Sequence, residues 1–219
     1  EICACLVGSE MCIRDRCTSL KHVTVPASVI ALKNEAFRDC TALETAEVNV
    51  GNLNGTVSSI GTAGNGWFKG CTSLKTVTFA DGLLRLENYL FEGCTSLTTI
   101  KLPATLQRLS AGYGAFKNCT SLVSLTIPAG VTAIENNEFV GCASLKEIIF
   151  EGSVTKIGNA SFDGCAALDT IDLSQVSSVG NNAFRGCAAL EYVNLPQAAT
   201  LGANLSLIHI SEPTRHAQI

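Results

Sequence analysis

Apolar and polar residues alternate in short stretches that recur along most of the chain. In Leu97–Leu102 and Leu145–Phe150 the pattern is Leu-x-x-Ile-x-(Leu or Phe). The last two apolar residues of each stretch are therefore two positions apart. A period of two is typical of a strand with one buried face. A proline or polar residue often follows, and then a second apolar pair such as Val131 and Ile134. Each unit is therefore predicted to contain a strand, a return segment and a tight turn.

A cysteine marks each unit, and successive cysteines are 23, 31, 23, 25, 23, 23 and 22 residues apart. A leucine lies three residues after each of them, and a phenylalanine lies three residues before all but the first. The cysteines are Cys17, Cys40, Cys71, Cys94, Cys119, Cys142, Cys165 and Cys187. One such unit cannot enclose its own apolar side chains, so neighbouring units must stack. The sequence predicts a solenoid of about eight coils with Phe, Cys and Leu facing inward.

Two units are longer than the others, and their extra residues fall outside the predicted strands. The surplus of the 31-residue unit lies within Asn49–Gly66, and that of the 25-residue unit lies within Ser110–Gly114. Both segments contain Gly or Asn, which tolerate the backbone conformations of turns. We expect both insertions to form surface loops that leave the strands intact.

The repeated unit FxGC(T/A)(S/A)LxxIxLPxxVxxIGxxAF, as in Phe139–Phe162, resembles the leucine-rich repeat of the BspA-like class. The resemblance covers Cys17 to about Asn204. It implies an α/β repeat solenoid, a right-handed horseshoe with a concave parallel β-sheet and a convex side of short strands, turns and short helical turns. It also implies a cell-surface or secreted protein for binding or adhesion, with no shared catalytic residue, so we expect no enzyme.

The two ends of the chain do not follow the repeat and share an unusual property. One DNA strand can encode EICACLVGSEMCIRD at the N-terminus while its reverse complement encodes LSLIHISEPTRHAQI, which is Leu205–Ile219. Residues 1–16 and 205–219 thus resemble a translated sequencing-library adapter and are set aside from the fold. We expect residues 17–204 to be a fragment of a longer repeat protein.

Composition and charge exclude several classes of partner. A formal net charge of −4 and a pI near 5.4 argue against nucleic acid, whose binding needs clustered Lys and Arg. No apolar run is long enough for a membrane span. The repeated cysteines recur along a line rather than around a point, so they predict a row of buried thiols and neither a metal site, a cofactor site nor disulfides.

Residues 17–204 contain little that resembles catalytic machinery. His22 is the one histidine there, which leaves no convincing base for a Ser/His/Asp arrangement. Carboxylates recur on adjacent coils at Glu147, Glu151, Asp169 and Asp172, and such rows could belong to a carbohydrate-active β-helix. Solvated surface charge is the simpler interpretation of these four residues.

The outward strand positions form two rows, here together called the sheet face. The first row is His22, Thr45, Thr76, Thr99, Ser124, Glu147, Thr170 and Tyr192, and the second is Thr24, Glu47, Thr78, Lys101, Thr126, Ile149, Asp172 and Asn194. Threonine dominates both rows, as expected from β-propensity. The residues that depart from it are the predicted contacts for a protein or glycan ligand: Tyr192, Ile149, Lys101, His22, Glu47, Asp172 and Asn194. The alternative is a structural spacer in a larger surface protein.

Overall fold

The computed structural model describes residues 17–29, 32, 35–49, 66–196, 199–205 and 209–210, with only the backbone of Tyr192, His209 and Ile210. Within these ranges the chain forms twelve short strands joined by turns. The strands are β1 His22–Val25, β2 Thr45–Val48, β3 Thr76–Phe79, β4 Ser124–Ile127, β5 Ala133–Ile134, β6 Glu147–Phe150, β7 Lys156–Ile157, β8 Thr170–Ile171, β9 Ser178–Val179, β10 Tyr192–Val193, β11 Thr200–Leu201 and β12 His209–Ile210.

All of these strands pair in parallel, and most partners are equivalent residues of successive coils. One side of the solenoid carries β1–β2–β3 and β4–β6–β8, in which Thr45 pairs with Thr76 and Glu147 with Thr170. The opposite return segments carry the ladder β5–β7–β9–β11. This register confirms the predicted stacked solenoid. Of the segment 205–219, the described strand β12 pairs with β10, while residues 1–16 lie outside the described ranges.

Strand pairing is interrupted at the fourth coil, where Thr98–Leu102 forms no assigned strand. The inward side chains continue across this interruption, because Ile100 and Leu102 remain buried. Side-chain stacking therefore maintains the solenoid between β3 and β4, where the predicted continuous sheet is divided.

The inward phenylalanines form one stack through the molecule. Ring centroids of successive residues lie 5.2 to 5.9 Å apart, and their planes differ by 1 to 26°. The members are Phe37, Phe68, Phe91, Phe116, Phe139, Phe162 and Phe184. Each aromatic contact contributes about 0.5–1.5 kcal/mol beyond the burial of area, so the stack connects each coil from that of Phe37 to that of Phe184 with the next.

The cysteines form a second row beside the phenylalanines, and six of their thiols hydrogen-bond to the backbone of the preceding coil. The Sγ of Cys142 donates to the carbonyl oxygen of Phe116 on the preceding coil at 3.1 Å. The same contact, at 3.0 to 3.1 Å, is made by Cys71, Cys94, Cys119, Cys165 and Cys187. A small apolar side chain with one weak donor therefore both fills the core and links neighbouring coils.

Left-handed backbone conformations turn the chain at two positions in each coil. One lies immediately before the cysteine, as at Gly164 with φ of 77°, and the other lies five residues before it, as at Ala160 with φ of 51°. Residues in this conformation interrupt a right-handed helix. The described ranges contain no helix, so the short helical turns expected on the convex side are not confirmed. No helix there is long and apolar enough to cross a membrane.

Asparagines form a third ladder on the turn that precedes the phenylalanine. The side-chain oxygen of Asn136 accepts from the backbone N–H of Asn159 at 2.7 Å, and that of Asn159 accepts from Asn181 at 2.8 Å. Gly180 lies directly against this ladder, since a Cβ there would be 2.5 Å from the backbone nitrogen of Asn159. The glycine is required because two backbones approach closely.

We predict that Gly180→Ala lowers the free energy of unfolding by about 2–3 kcal/mol, because the new methyl group must push apart two coils. Gly164→Ala is the matched control, since its Cβ would lie 3.6 Å from Gly141 and only the positive φ opposes it. That variant should lose about 1 kcal/mol. Urea unfolding followed by circular dichroism measures both, and an equal or smaller loss for Gly180→Ala would contradict the close-approach argument.

Candidate functional site: the exposed sheet face

The structure exposes the predicted contact residues whose side chains it describes, in strands β1, β2 and β6 or, for Lys101, Asp172 and Asn194, at the equivalent positions outside the assigned strands. Burial alternates along β1 and β4, and His22, Glu47, Lys101, Ile149, Asp172 and Asn194 are all exposed. Tyr192 lies in β10, but its side chain is outside the described part of the chain. The residues span almost the full length of the solenoid. They therefore define an extended face and do not converge on one pocket.

Several side chains of the face are held by their neighbours one coil away. The Nδ1 of His22 lies 2.7 Å from the Oγ1 of Thr45, and the Oγ1 of Thr24 donates to Glu47 at 3.3 Å. Asp172 accepts from the backbone N–H of Ser174 at 2.9 Å, which fixes its carboxylate against its own turn. The threonines thus orient neighbouring polar side chains in addition to favouring the strand.

Lys101 and Ile149 are less constrained than these residues. Neither makes a side-chain hydrogen bond or ion pair within the described ranges, and Ile149 is 45% exposed. Thr126 pairs with Ile149 on one side, and Asp172 follows one coil later in the same row. Ile149 therefore presents an apolar side chain to solvent between two polar residues.

A charged edge borders the face where the chain enters the strands. The Nζ of Lys75 lies 3.0 Å from the Oε2 of Glu44 and donates to it. This hydrogen bond and the charge of Lys75 lower the pKa of Glu44, with smaller contributions from Lys21 and His22. Glu44 therefore stays ionised at neutral pH, and the edge carries alternating charges on the first three coils at Lys21, Glu44 and Lys75.

The carboxylate row proposed for a hydrolase gains no support from its surroundings. Glu147, Glu151, Asp169 and Asp172 are all exposed, as solvated surface charges are. Among the residues that the structure describes, no three His, Cys, Asp or Glu side chains are grouped as a metal site would require.

The cysteine row lies inside the molecule, away from this face. Burial raises the pKa of Cys71 and of Cys187 to about 12, with smaller effects of neighbouring groups. Burial likewise raises the pKa of the intervening thiols Cys94, Cys119, Cys142 and Cys165. A thiol must ionise to act as a nucleophile, so this row is structural.

Two features on the opposite, turn side were not predicted from the sequence. Tyr113 is 56% exposed, and its ring centroid lies 5.7 Å from that of Tyr89 on the preceding coil. Glu138 is fully buried beneath the loop that carries Tyr113. The sequence does distinguish Glu138, because it stands four residues before its cysteine, where other coils have Ala, Leu, Trp or Ser.

In-register ladders, a stacked aromatic core and an open outward face define a parallel β-solenoid scaffold of the leucine-rich-repeat class. A model of the BspA type leucine rich repeat region matches six copies over residues 14–112, 49–165 and 109–205. The chain belongs to this family.

Solved structures with the same fold are bacterial leucine-rich repeat proteins. A leucine rich cell surface protein from Faecalibacterium prausnitzii is 20% identical with a TM-score of 0.53, and the match covers 86% of this chain and 68% of that one. A leucine-rich repeat protein from Eubacterium ventriosum is 18% identical with a TM-score of 0.51, covering 92% of this chain and 62% of that one. A search among curated proteins found no match.

We predict that the buried thiols resist alkylation until the protein unfolds. A pKa of about 12 for Cys71, against an ordinary 9.0, leaves about a thousandfold less thiolate at pH 8. Peptide mass spectrometry after iodoacetamide treatment should find Cys71, Cys94, Cys119, Cys142, Cys165 and Cys187 unmodified in the native chain and modified in urea. Rapid native labelling of Cys119 would show that the row is open to solvent.

Proposed function

We propose that this chain is a non-catalytic binding scaffold whose sheet face contacts a protein or glycan partner. The observation that supports this most directly is an exposed isoleucine, Ile149, in strand β6, where it pairs with Thr126 of β4 and follows the residues that pair with β8. An apolar side chain on a rigid surface loses little conformational entropy when a partner covers it. Apolar anchors surrounded by polar residues are typical of interface centres.

The polar members of the face would provide orientation. Thr24 and Thr45 already hold Glu47 and His22 in place, so these groups are ordered before a partner arrives. Lys101 has no acceptor within the described ranges and is available for one on a partner. Such preorganised polar groups favour a particular orientation more than they add affinity.

A location at the cell surface or outside the cell fits this role. One structural neighbour is described as a cell surface protein, and the BspA-type family implies the same setting. Because family members generally lack catalysis, we infer adhesion or recognition and no reaction. Residues 1–16 and 205–219 are, on our proposal, adapter-derived and take no part in it.

We predict that Ile149→Ala weakens binding at least fivefold, because it removes an apolar contact that a partner would cover. Arrays of purified bacterial and host extracellular proteins and glycans would identify a ligand for the full chain. Surface plasmon resonance would then compare the variant with the unaltered chain. Lys101→Ala and Tyr192→Ala test the rest of the face, and each should weaken binding if the partner covers it.

Tyr113→Ala is the matched control, since it removes an exposed aromatic residue from the turn side and leaves the sheet face unchanged. Binding that survives every sheet-face substitution and is lost in Tyr113→Ala would place the contact on the turn side. Failure of the unaltered chain to bind any array component would favour the spacer role.

A further inference from the structure

A carboxylic acid occupies one level of an otherwise apolar or small-residue row inside the solenoid. Glu138 stands four residues before Cys142 and is fully buried. The equivalent residues of the other coils are Ala36, Trp67, Leu90, Ala115, Ser161 and Ala183. Burying a carboxyl group is unfavourable unless its oxygens are hydrogen-bonded or it holds a proton. The position is therefore the clearest departure from the repeat in the core.

The carboxyl group of Glu138 connects both ends of the short insertion on the preceding coil. One oxygen lies 2.5 Å from the Oγ of Ser110, and the other accepts from the backbone N–H of Ala115 at 3.0 Å. The N–H of Gly112 donates to the same Ser110 Oγ at 3.2 Å. Residues 110–115, here called the latch loop, are thus closed around one buried side chain.

No cation contacts Glu138 within the described ranges. Glu135, on the same turn, is itself a carboxylate, and its charge is paired with Arg108 at 3.0 Å. The Cys142 thiol lies in the core nearby, and burial keeps its pKa well above the ordinary value, so it stays neutral. Two coils before Glu138, Glu87 lies 3.9 Å from Arg85, beside the Asn88 that accepts from the Ala111 N–H. An ionised Glu138 would therefore have hydrogen bonds but no opposite charge.

We propose that Glu138 and Ser110 form a proton-dependent latch that holds the latch loop closed in mildly acidic solution and loosens it as the pH rises towards neutrality. In the closed form a protonated Glu138 carries no charge, is hydrogen-bonded to the Ser110 hydroxyl and accepts from the Ala115 N–H, so no anion is buried. Loss of the proton leaves a buried anion, and opening of the loop returns that anion to water.

The direction follows from where the proton is bound. Burial raises the pKa of Glu138 from 4.5 to about 7, with Ser110 and Ala115 opposing the rise and Glu135 adding to it. The closed loop therefore holds a proton that the open loop releases over this pH range. Closure is most stable below pH 4.5, weakens about tenfold for each pH unit up to about 7, and then stays constant.

The latch loop also sets the position of Tyr113. Its ring packs on Tyr89, whose other neighbour is the Nζ of Lys69 at 5.1 Å from the ring centroid. Opening would separate the two rings and change the exposed surface of the turn side. Protonation of Glu138 thus controls, through the latch loop, whether Tyr113 packs on Tyr89 at the surface.

Amide hydrogen exchange on the full chain tests this proposal at single residues. After correction for intrinsic exchange rates, the protection of the Ala115 amide should fall about 40-fold between pH 5 and pH 7 and change little above pH 7.5. Glu138→Gln should abolish this dependence, because the amide keeps an acceptor for Ala115 and a donor for Ser110 and does not titrate. The Gly180 amide, which donates to Ile157 in the return ladder, is the internal reference and should keep its protection.

Three variants separate Glu138 from its neighbours. Glu87→Gln and Glu135→Gln should preserve the fall in Ala115 protection, since neither carboxyl group touches the loop amides. Ser110→Ala should lower protection at both pH values. Constant protection in the unaltered chain, a fall that persists in Glu138→Gln, or loss of the fall in Glu87→Gln would each overturn the proposal.

Discussion

Each coil depends on superposition with its neighbours, because about 23 residues cannot enclose a core of their own. The ladders show how this constraint acts on single atoms. The carbonyl oxygen of Phe116 accepts a hydrogen bond from the Cys142 thiol of the next coil. The side-chain oxygen of Asn136 accepts one from a backbone N–H of the next coil. Gly180 lacks a side chain because the preceding coil already fills that space. Phenylalanine, cysteine, asparagine and glycine recur for reasons that lie one coil away.

The fold could be predicted largely from the sequence because the constraint is periodic. Spacing alone located the inward rows, the loop at Ser110–Gly114 and the strands of the sheet face, except at Thr98–Leu102, where the predicted strand is not formed. Three-dimensional details were less accessible. Tyr89 and Ala160 adopt positive φ although neither residue type favours it, since their places in the coil impose it. Those same turns replace the helical turns that the family resemblance implied. The hydrogen bond between Ser110 and Glu138 joins residues 28 apart, which a pattern of 23 does not reveal.

The sheet face was predicted from the alternation of apolar and polar residues. Which of its side chains are held by their neighbours and which are free could be seen only in the structure. Outward strand residues take little part in stacking, so they can vary while the ladders remain intact. The threonines nevertheless hold neighbouring groups, as Thr45 does for His22. Ile149 departs from this pattern, since it is exposed and no repeat-related side chain requires it there. The interior is thus constrained by stacking between coils, whereas the outward positions can change without disturbing it.

Glu138 shows what happens when an inward position of the repeat carries a polar side chain. Stacking of the phenylalanine rings fixes the distance between neighbouring coils. The ring centroids of Phe139, on the coil of Glu138, and of Phe116, on the preceding coil, are 5.5 Å apart. The core there cannot rearrange to admit water around an anion without disturbing that stack. The adjoining loop has no such role in stacking and is the part that can yield. A charge placed in a rigid row is therefore relieved at the nearest insertion, which is why a buried acid and a lengthened turn occur together in this molecule.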